Sequence, residues 1–201
     1  MKKKRLILAS SSIYRKILLS SIRANFECIS PNIDETRKPN EKAQEMVKRL
    51  SIEKAGKVGE QNKNSIIIAS DTCAYCDSTI LGKPLKKDIA IEYLKFISGK
   101  KIFFYTGLCV LDADMMKFET EIAKYEIKIK KLKQKDILDY IEIHNPLNSS
   151  AAFRYEVAKD FLIEEFEDSE KDLSGLIGLP LVKLQKILDS WNLFVVNQKT
   201  F

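Results

Sequence analysis

Asp71 follows the β-branched run SIIIAS at residues 65–70, the position where strand ends in α/β folds present groups to ligands. Glu35 stands in SPNIDET and Lys83 in ILGKP, while Lys54 falls four residues after Leu50 and seven after Val47. That spacing puts Lys54 on the apolar side of a helical pattern. Near the start, LILASSSIYRKILLSS (residues 6–21) runs a strand pattern through Ser10, Ser11 and Ser12 into a helix with Arg15 in its first turn. The unpaired N–H groups and dipole at a helix start attract anions. Serine hydroxyls add donors there, and an arginine can fork onto phosphate oxygens. Hard cations such as Mg²⁺ are held by carboxylates together with substrate phosphates. Two acids accompanied by several cations therefore fit a metal–triphosphate site.

Each residue also has a plain structural explanation. Ser12 caps its helix, Arg15 is a solvated charge, Glu35 is a loop acid and Asp71 ends a strand in a turn. Lys54 either carries its stem to the rim of the core or points into a site, and spacing leaves both open. It is their combination that favours chemistry.

The elements that must position these groups follow from hydrophobic period and breakers. Leu6 to Ala9 reads as a buried strand, followed by a helix capped by Ser12, with Ile13, Tyr14, Ile17, Leu18 and Ile22 at helical spacing. FECISP predicts a short strand, NIDETRKP a polar loop, and residues 41–57 a helix with Ala43, Met46, Val47 and Leu50 on one side. SIIIAS predicts a central strand, CDST a turn, and LGKP the close of that hairpin. A helix over 87–97 ends at Ser98 and Gly99; KIFFYTGLCVLD and TEIAKYEIKIKKL predict long strands. In the second of these, Ile127 and Ile129 alternate with Glu126, Lys128 and Lys130. Residues 134–143 predict a helix, DFLIEEFE a strand, and LPLVKLQKILDSW a last helix after Pro180. The pattern predicts a single α/β domain over residues 1–201, with a mixed elongated sheet, flanking helices and two lobes around a cleft.

Composition is ordinary for a soluble globular protein. The 201 residues are 45% hydrophobic and 31% charged, and no apolar run approaches a membrane span. The apolar stretch within MKKKRLILASSS is too short for a secretory h-region, so a cytoplasmic protein is expected. The net charge of +6 is spread along the chain and suits an anionic ligand. Lys128, Lys130, Lys131, Lys133 and Lys135 read as a solvated strand face and loop, so no nucleic-acid partner is expected. Cys73 and Cys76 form a lone C-x-x-C, with Cys28, Cys109 and the single His144 far off in sequence, so buried reduced thiols are expected and not zinc.

In order, LILASSSIYRKILL, NIDET, EKA, ASDTC with ILGKP, SGK with YTGL, and GLIGLPL resemble the motifs of Maf-like nucleoside triphosphate pyrophosphatases, from Leu6 to about Trp191. The resemblance implies an inosine triphosphate pyrophosphatase-like fold, a homodimer, and a divalent metal cofactor, Mg²⁺ or Mn²⁺. It implies hydrolysis of a nucleoside triphosphate to the monophosphate and pyrophosphate. Ser10, Ser12 and Arg15 resemble the family's phosphate-binding serines and arginine, and Lys54 and Lys83 its phosphate-neutralising lysines. Glu35 and Asp71 resemble its metal-binding and catalytic acids, with Asp71 as proton acceptor.

The resemblance also implies that Tyr14, Thr72 and Glu156 stand at the family's base-discriminating positions, which separate its substrate branches. NPLNSSAAFRYE resembles the 7-methyl-GTP branch, with Arg154 at its basic position. N7-methylation makes guanine cationic, so a ring such as Tyr14 gains a cation–π term of about 0.5–2 kcal/mol. A carboxylate such as Glu156 accepts from guanine N1–H and N2–H₂ together, which uracil and thymine do not offer. The plain alternatives are a core aromatic for Tyr14 and a surface acid for Glu156. Thr72 instead matches the dTTP/UTP branch, Ile13 replaces a usual proline, and Val157-Ala158 stand where a glycine is usual. The expected substrate is 7-methyl-GTP or a similar modified nucleotide. The alternatives are dTTP and UTP, or a non-catalytic nucleotide- or nucleic-acid-binding protein of cell division.

Overall fold

The structure, a computed structural model, describes residues 4–23, 25–167 and 171–193. Seven strands form one sheet: β1 (Arg5–Leu8), β2 (Glu27–Cys28), β3 (Ser65–Cys76), β4 (Thr79–Leu81), β5 (Lys101–Asp112), β6 (Lys117–Ile129) and β7 (Ile163–Glu167). Their order is β2-β1-β3-β5-β6-β7, with β4 paired to β3. β1 is parallel to both β2 and β3, while the β3–β4 and β6–β7 pairs are antiparallel, so the sheet is mixed as expected. The helices are α1 (Ile13–Ile22), α2 (Ala43–Gln61), α3 (Lys87–Ile97), α4 (Gln134–His144), α5 (Tyr155–Phe161), α6 (Ser174–Ile177) and α7 (Leu181–Ser190).

The chain divides into two compact units, whose boundaries fall inside β3, β5 and β6. The first holds residues 1–71, 106–123 and 172–201; the second holds 72–105 and 124–171.

In the first unit, Ile7, Leu8 and Ala9 are all fully buried, which requires cover on both faces of β1. Strand alternation sorts the cover. Leu8, Ile66, Ile68, Leu108 and Val110 pack with Leu19 of α1 and with Leu184, Ile187 and Leu188 of α7. Ile7, Ala9, Ile67, Ala69, Cys109 and Leu111 pack with Ala55 and Val58 of α2. The unit is thus a sheet between two helical layers. Asp71 shares the parity of Ile67 and Ala69, so it emerges on the side covered by α2.

One glycine sets how near α2 can lie. A Cβ built on Gly107 of β5 would stand 2.3 Å from the Val47 carbonyl oxygen of α2. Because backbone is in the way, the helix itself must move. Gly107→Ala is expected to cost about 1–3 kcal/mol by overpacking, read as a lowered urea midpoint, and to slow turnover by displacing Lys54. Unchanged stability would show that α2 gives way freely.

In the second unit, Ile102, Phe104, Tyr125, Ile127 and Ile129 are buried with Ala90, Leu94 and Ile97 of α3 and Ile137, Tyr140 and Ile141 of α4. Phe104 and Phe153 meet with ring centroids 4.8 Å apart. Cys73, Cys76 and Cys109 are buried free thiols as expected, whereas Cys28, on the edge strand β2 of the first unit, is free but exposed, against the expectation of burial. Three residues apart on β3, Cys73 and Cys76 point to opposite faces about 10 Å apart, beyond disulfide reach. Burial raises the Cys76 thiol and pushes that of Cys109 up to about 12.

Three further expectations need correction, and two short helices were not expected. The strand read over residues 65–70 does not stop before Asp71: β3 runs on to Cys76, so Asp71 lies within the strand and not at its end. Ile13 and Ile17 are 58% and 60% exposed, and the inward face of α1 is carried by Leu18, Leu19 and Ile22. The strand expected over DFLIEEFE starts only at Ile163, because Asp160 and Phe161 finish α5. α5 and α6 themselves escape helical periodicity, being seven and four residues long. Among the described residues, no helix is long and apolar enough to cross a membrane.

Candidate active site

The parallel strands β1 and β3 pair from Arg5↔Ser65 to Leu8↔Ile68; Ser10, Ser12 and Arg15 follow the end of β1, and Asp71 lies on β3 three residues beyond the last paired position. Ser10, 7% exposed, accepts the Ser12 N–H at 3.1 Å, and Ser12 caps α1 by accepting the Arg15 N–H at 3.5 Å. Both serine oxygens therefore serve as acceptors inside the protein, so each hydroxyl presents its proton as a donor. This is the division of labour a phosphate cradle needs, and it also satisfies the cap.

Arg15 is half-buried, and its Nε donates to the Gly178 carbonyl at 2.8 Å. The Ser70 Oγ lies 2.8 Å from that same carbonyl and 2.8 Å from the Gly107 carbonyl, the two acceptors sharing its one hydroxyl proton. Thr106 Oγ1 donates to the Gly175 carbonyl at 2.8 Å. The GLIGLP turn is thus riveted to the middle of β3 and β5, and φ of +135° at Gly178 is a conformation L side chains rarely adopt. Asp172 and Ser174 hold its flanks: Leu181 N–H donates to Ser174 Oγ at 2.7 Å and Val182 N–H to Asp172 Oδ2 at 2.9 Å. Burial lowers the Arg15 guanidinium from its ordinary value, while Asp71 and Glu35 pull it upward. The guanidinium therefore lies in the field of both acids.

Lys54 resolves the ambiguity of its spacing by pointing into the site. It is 4% exposed, and its Nζ lies 2.6 Å from Asp71 Oδ1 and 3.1 Å from Glu35 Oε1. Asp71 is itself 7% exposed, whereas the Glu35 side chain is 56% exposed. An ammonium in that setting is held by its partners and not by water. Two carboxylates converging on one positive centre also suit a hard divalent cation. Among the described residues no group of three or more His, Cys, Asp or Glu could hold a metal. Two protein carboxylates with the remaining ligands drawn from substrate phosphate and water is the Mg²⁺ pattern.

The loop bearing Glu35 is tied to α2. Arg49 forks onto Glu41, with Nε to Oε1 at 2.6 Å and Nη2 to Oε2 at 2.8 Å, and its Nη2 also reaches the Thr36 carbonyl at 3.2 Å. The Arg49 hydrogen bonds pull the Glu41 carboxyl down from 4.5 to about 2.

The other candidates fall in the second unit. Thr72 is half-buried, and its carbonyl accepts from Ser150 Oγ at 3.2 Å. Lys83 is exposed in the loop after β4, where the Gly82 carbonyl accepts Ala151 N–H at 2.9 Å. Glu156 is exposed in the first turn of α5. Arg154 ties α5 to α4, its Nη1 donating to the His144 carbonyl at 2.6 Å and its N–H to Tyr140 Oη at 3.1 Å. Tyr14 belongs to the first unit and is half-buried on α1. Unit one thus gathers Ser10, Ser12, Arg15, Glu35, Lys54 and Asp71.

Sequence reasoning missed the residues that aim these groups: Ser70, Gly107, Gly178, Arg49 and Glu41. A glycine within a buried strand pattern signals close backbone approach, so Gly107 carried a readable cue. The partners of Gly178 lie far away in sequence and carried none; Arg49 has Glu53 at helical spacing, but its bonds to Glu41 and Thr36, eight and thirteen positions back, depend on how the preceding loop folds onto α2.

The profile of the family described as "Maf-like protein" matches residues 5–191. A 7-methyl-GTP pyrophosphatase of Colwellia psychrerythraea is 39% identical over 98% of this chain and 98% of its own. Proteins of the same name from Nitrosococcus oceani and Pseudomonas aeruginosa are each 36% identical, over 92% and 91% of this chain and 92% and 94% of their own. A HAM1 protein from Coxiella burnetii shares the fold at a TM-score of 0.50 and 11% identity, covering 93% of this chain and 99% of that one.

Proposed function

Since the chain belongs to the Maf-like family, we propose that it is a nucleoside triphosphate pyrophosphatase that converts 7-methyl-GTP, or a similarly modified nucleotide, to the monophosphate and pyrophosphate. The observation that carries this reading is Lys54 Nζ held at 2.6 Å by Asp71 and 3.1 Å by Glu35, with Arg15 in the field of both acids. The names of relatives 36–39% identical over nearly the full chain supply the substrate.

Water attacks the α-phosphorus, the bond from that phosphorus to the bridging oxygen breaks, and pyrophosphate leaves. Asp71 Oδ1 is engaged by Lys54, so Oδ2 takes the proton of the attacking water. Lys54 and Arg15 offset charge that builds on phosphoryl oxygens, and the Ser10 and Ser12 hydroxyls donate to them. Glu35 and Asp71 would hold Mg²⁺ or Mn²⁺, which when bound supplies Lewis-acid neutralisation of the phosphates. Lys83 is assigned to a leaving phosphate, and Tyr14, Thr72 and Glu156 to the base, by their places in the family motifs. Glu156 stands in the first turn of α5, and Arg154, just before that helix, bonds it to α4 through Tyr140 and the His144 carbonyl.

The test is a nucleotide panel with Mg²⁺ or Mn²⁺ and a pyrophosphate assay. Release from 7-methyl-GTP is expected well above that from UTP and dTTP; preference for UTP would overturn the base assignment. Glu156→Gln is expected to weaken guanine-type substrates about tenfold, in line with the loss of a charge-assisted pair. An equal fall for every substrate would place Glu156 in folding or on the phosphate side.

A further inference from the structure

The segment between β2 and α2 contains no helix or strand, yet it must hold Glu35 steady. Ile29 N–H still donates to the Leu8 carbonyl of β1 at 3.0 Å, but from Ser30 to Glu35 the bonds are local: Ser30 Oγ donates to Asn32 Oδ1 at 3.0 Å, and Thr36 N–H to Asp34 Oδ1 at 2.9 Å. Burial does not hold it either, because the Glu35 side chain is 56% exposed. Immediately after Glu35 the situation changes. Thr36 gives its carbonyl to Arg49, and Lys38 N–H donates to Glu41 Oε2 at 3.0 Å. Arg37 closes over the Glu41 carbonyl with Nε at 2.9 Å and Nη2 at 2.7 Å.

The centre of this strap is the Arg49–Glu41 fork, with Glu41 only 8% exposed and Arg49 further braced by Glu53 Oε2 at 2.9 Å. Arg49 and Lys54 ride on the same helix, so one rigid element carries both the anchor of the loop and the ammonium that Glu35 meets. The fork remains ionised far into acid, since its hydrogen bonds hold the Glu41 carboxyl at about 2.

We infer that Arg49 and Glu41 are positioning residues, a buried clamp that holds Glu35 where it and Asp71 can bind one divalent cation. The inference rests on the proposed role of Glu35 as a metal ligand. A lysine at 49 keeps the charge but loses the two-pronged geometry that fixes the loop. Groups that orient a metal ligand without touching the metal typically change affinity by about 10–100-fold.

The full-length chain is stripped of metal and titrated with Mn²⁺, followed by calorimetry and by the electron paramagnetic resonance of free Mn²⁺. Arg49→Lys is expected to weaken Mn²⁺ binding about tenfold, and raised Mn²⁺ should restore kcat on the nucleotide. In a Glu35→Gln background the same change should have no further effect on Mn²⁺, which a merely structural role would not produce. Arg37→Met, a lighter lesion of the same strap, should shift Mn²⁺ affinity in the same direction and serves if Arg49→Lys does not fold. The clamp is overturned if Glu35→Gln weakens Mn²⁺ binding while Arg49→Lys and Arg37→Met do not, or if Arg49→Lys acts equally with and without Glu35. If Glu35→Gln itself changes nothing, or the unaltered chain takes no Mn²⁺, the metal-ligand reading fails and the clamp falls with it.

Discussion

Purified Asp71→Asn protein, given 7-methyl-GTP and Mg²⁺, is expected to release pyrophosphate about a hundred- to ten-thousandfold more slowly than the unaltered chain. The amide has nearly the same shape, so the stretch of β3 it sits on stays in place. What it loses is the ability to take a proton from water at the oxygen not engaged by Lys54. It also loses the charge facing Arg15. Lys54 retains Glu35 at 3.1 Å, which limits the structural damage. A variant that keeps its circular dichroism spectrum and its turnover would remove Asp71 from the mechanism altogether.

Lys54→Met should be the most destabilising change at the site. Asp71 is 7% exposed, and its partner ammonium would be replaced by an apolar chain of similar length. Removing one member of a buried ion pair costs about 3–5 kcal/mol, because the other charge is left without compensation. The loss should appear in urea unfolding at neutral pH, together with abolished pyrophosphate release. The double variant Lys54→Met, Asp71→Asn should recover much of that stability while remaining inactive, since no uncompensated carboxylate is then buried at position 71. Additive losses in the double variant would mean that the two groups do not depend on each other.

Gly107→Ala separates the two kinds of damage. It alters no charged group, and its effect on turnover comes only through the seat of α2 against β5. Comparing it with Lys54→Met distinguishes losing the ammonium from misplacing it.

Much of the framework was legible beforehand because it is written in local period. The β-branched run at residues 65–70 announced β3, Ser12 announced the cap of α1, and alternation announced β6. Both long strands after Gly99 were located to within a few residues. The short helices α5 and α6 were not, since fewer than two or three turns leave too little period to read. The inward face of α1 was misjudged for a related reason. Ile13 and Ile17 have the right spacing, but which apolar stripe turns inward depends on where the sheet and α7 lie.

The linear order of residues by itself named the members of the candidate site: two acids, an arginine at a capped helix start, and a lysine on an apolar helix face. It also determined the family, through motifs that keep their order along the chain. The tertiary structure alone decided where those groups aim. The Gly178 carbonyl holds Arg15 across 163 positions of chain, Lys54 turns to Asp71, and Arg49 grips the loop that carries Glu35. The reason is physical: period and capping act over a few residues, whereas hydrogen bonds, ion pairs and close backbone approach join atoms whose separation along the chain carries no information about their distance in space.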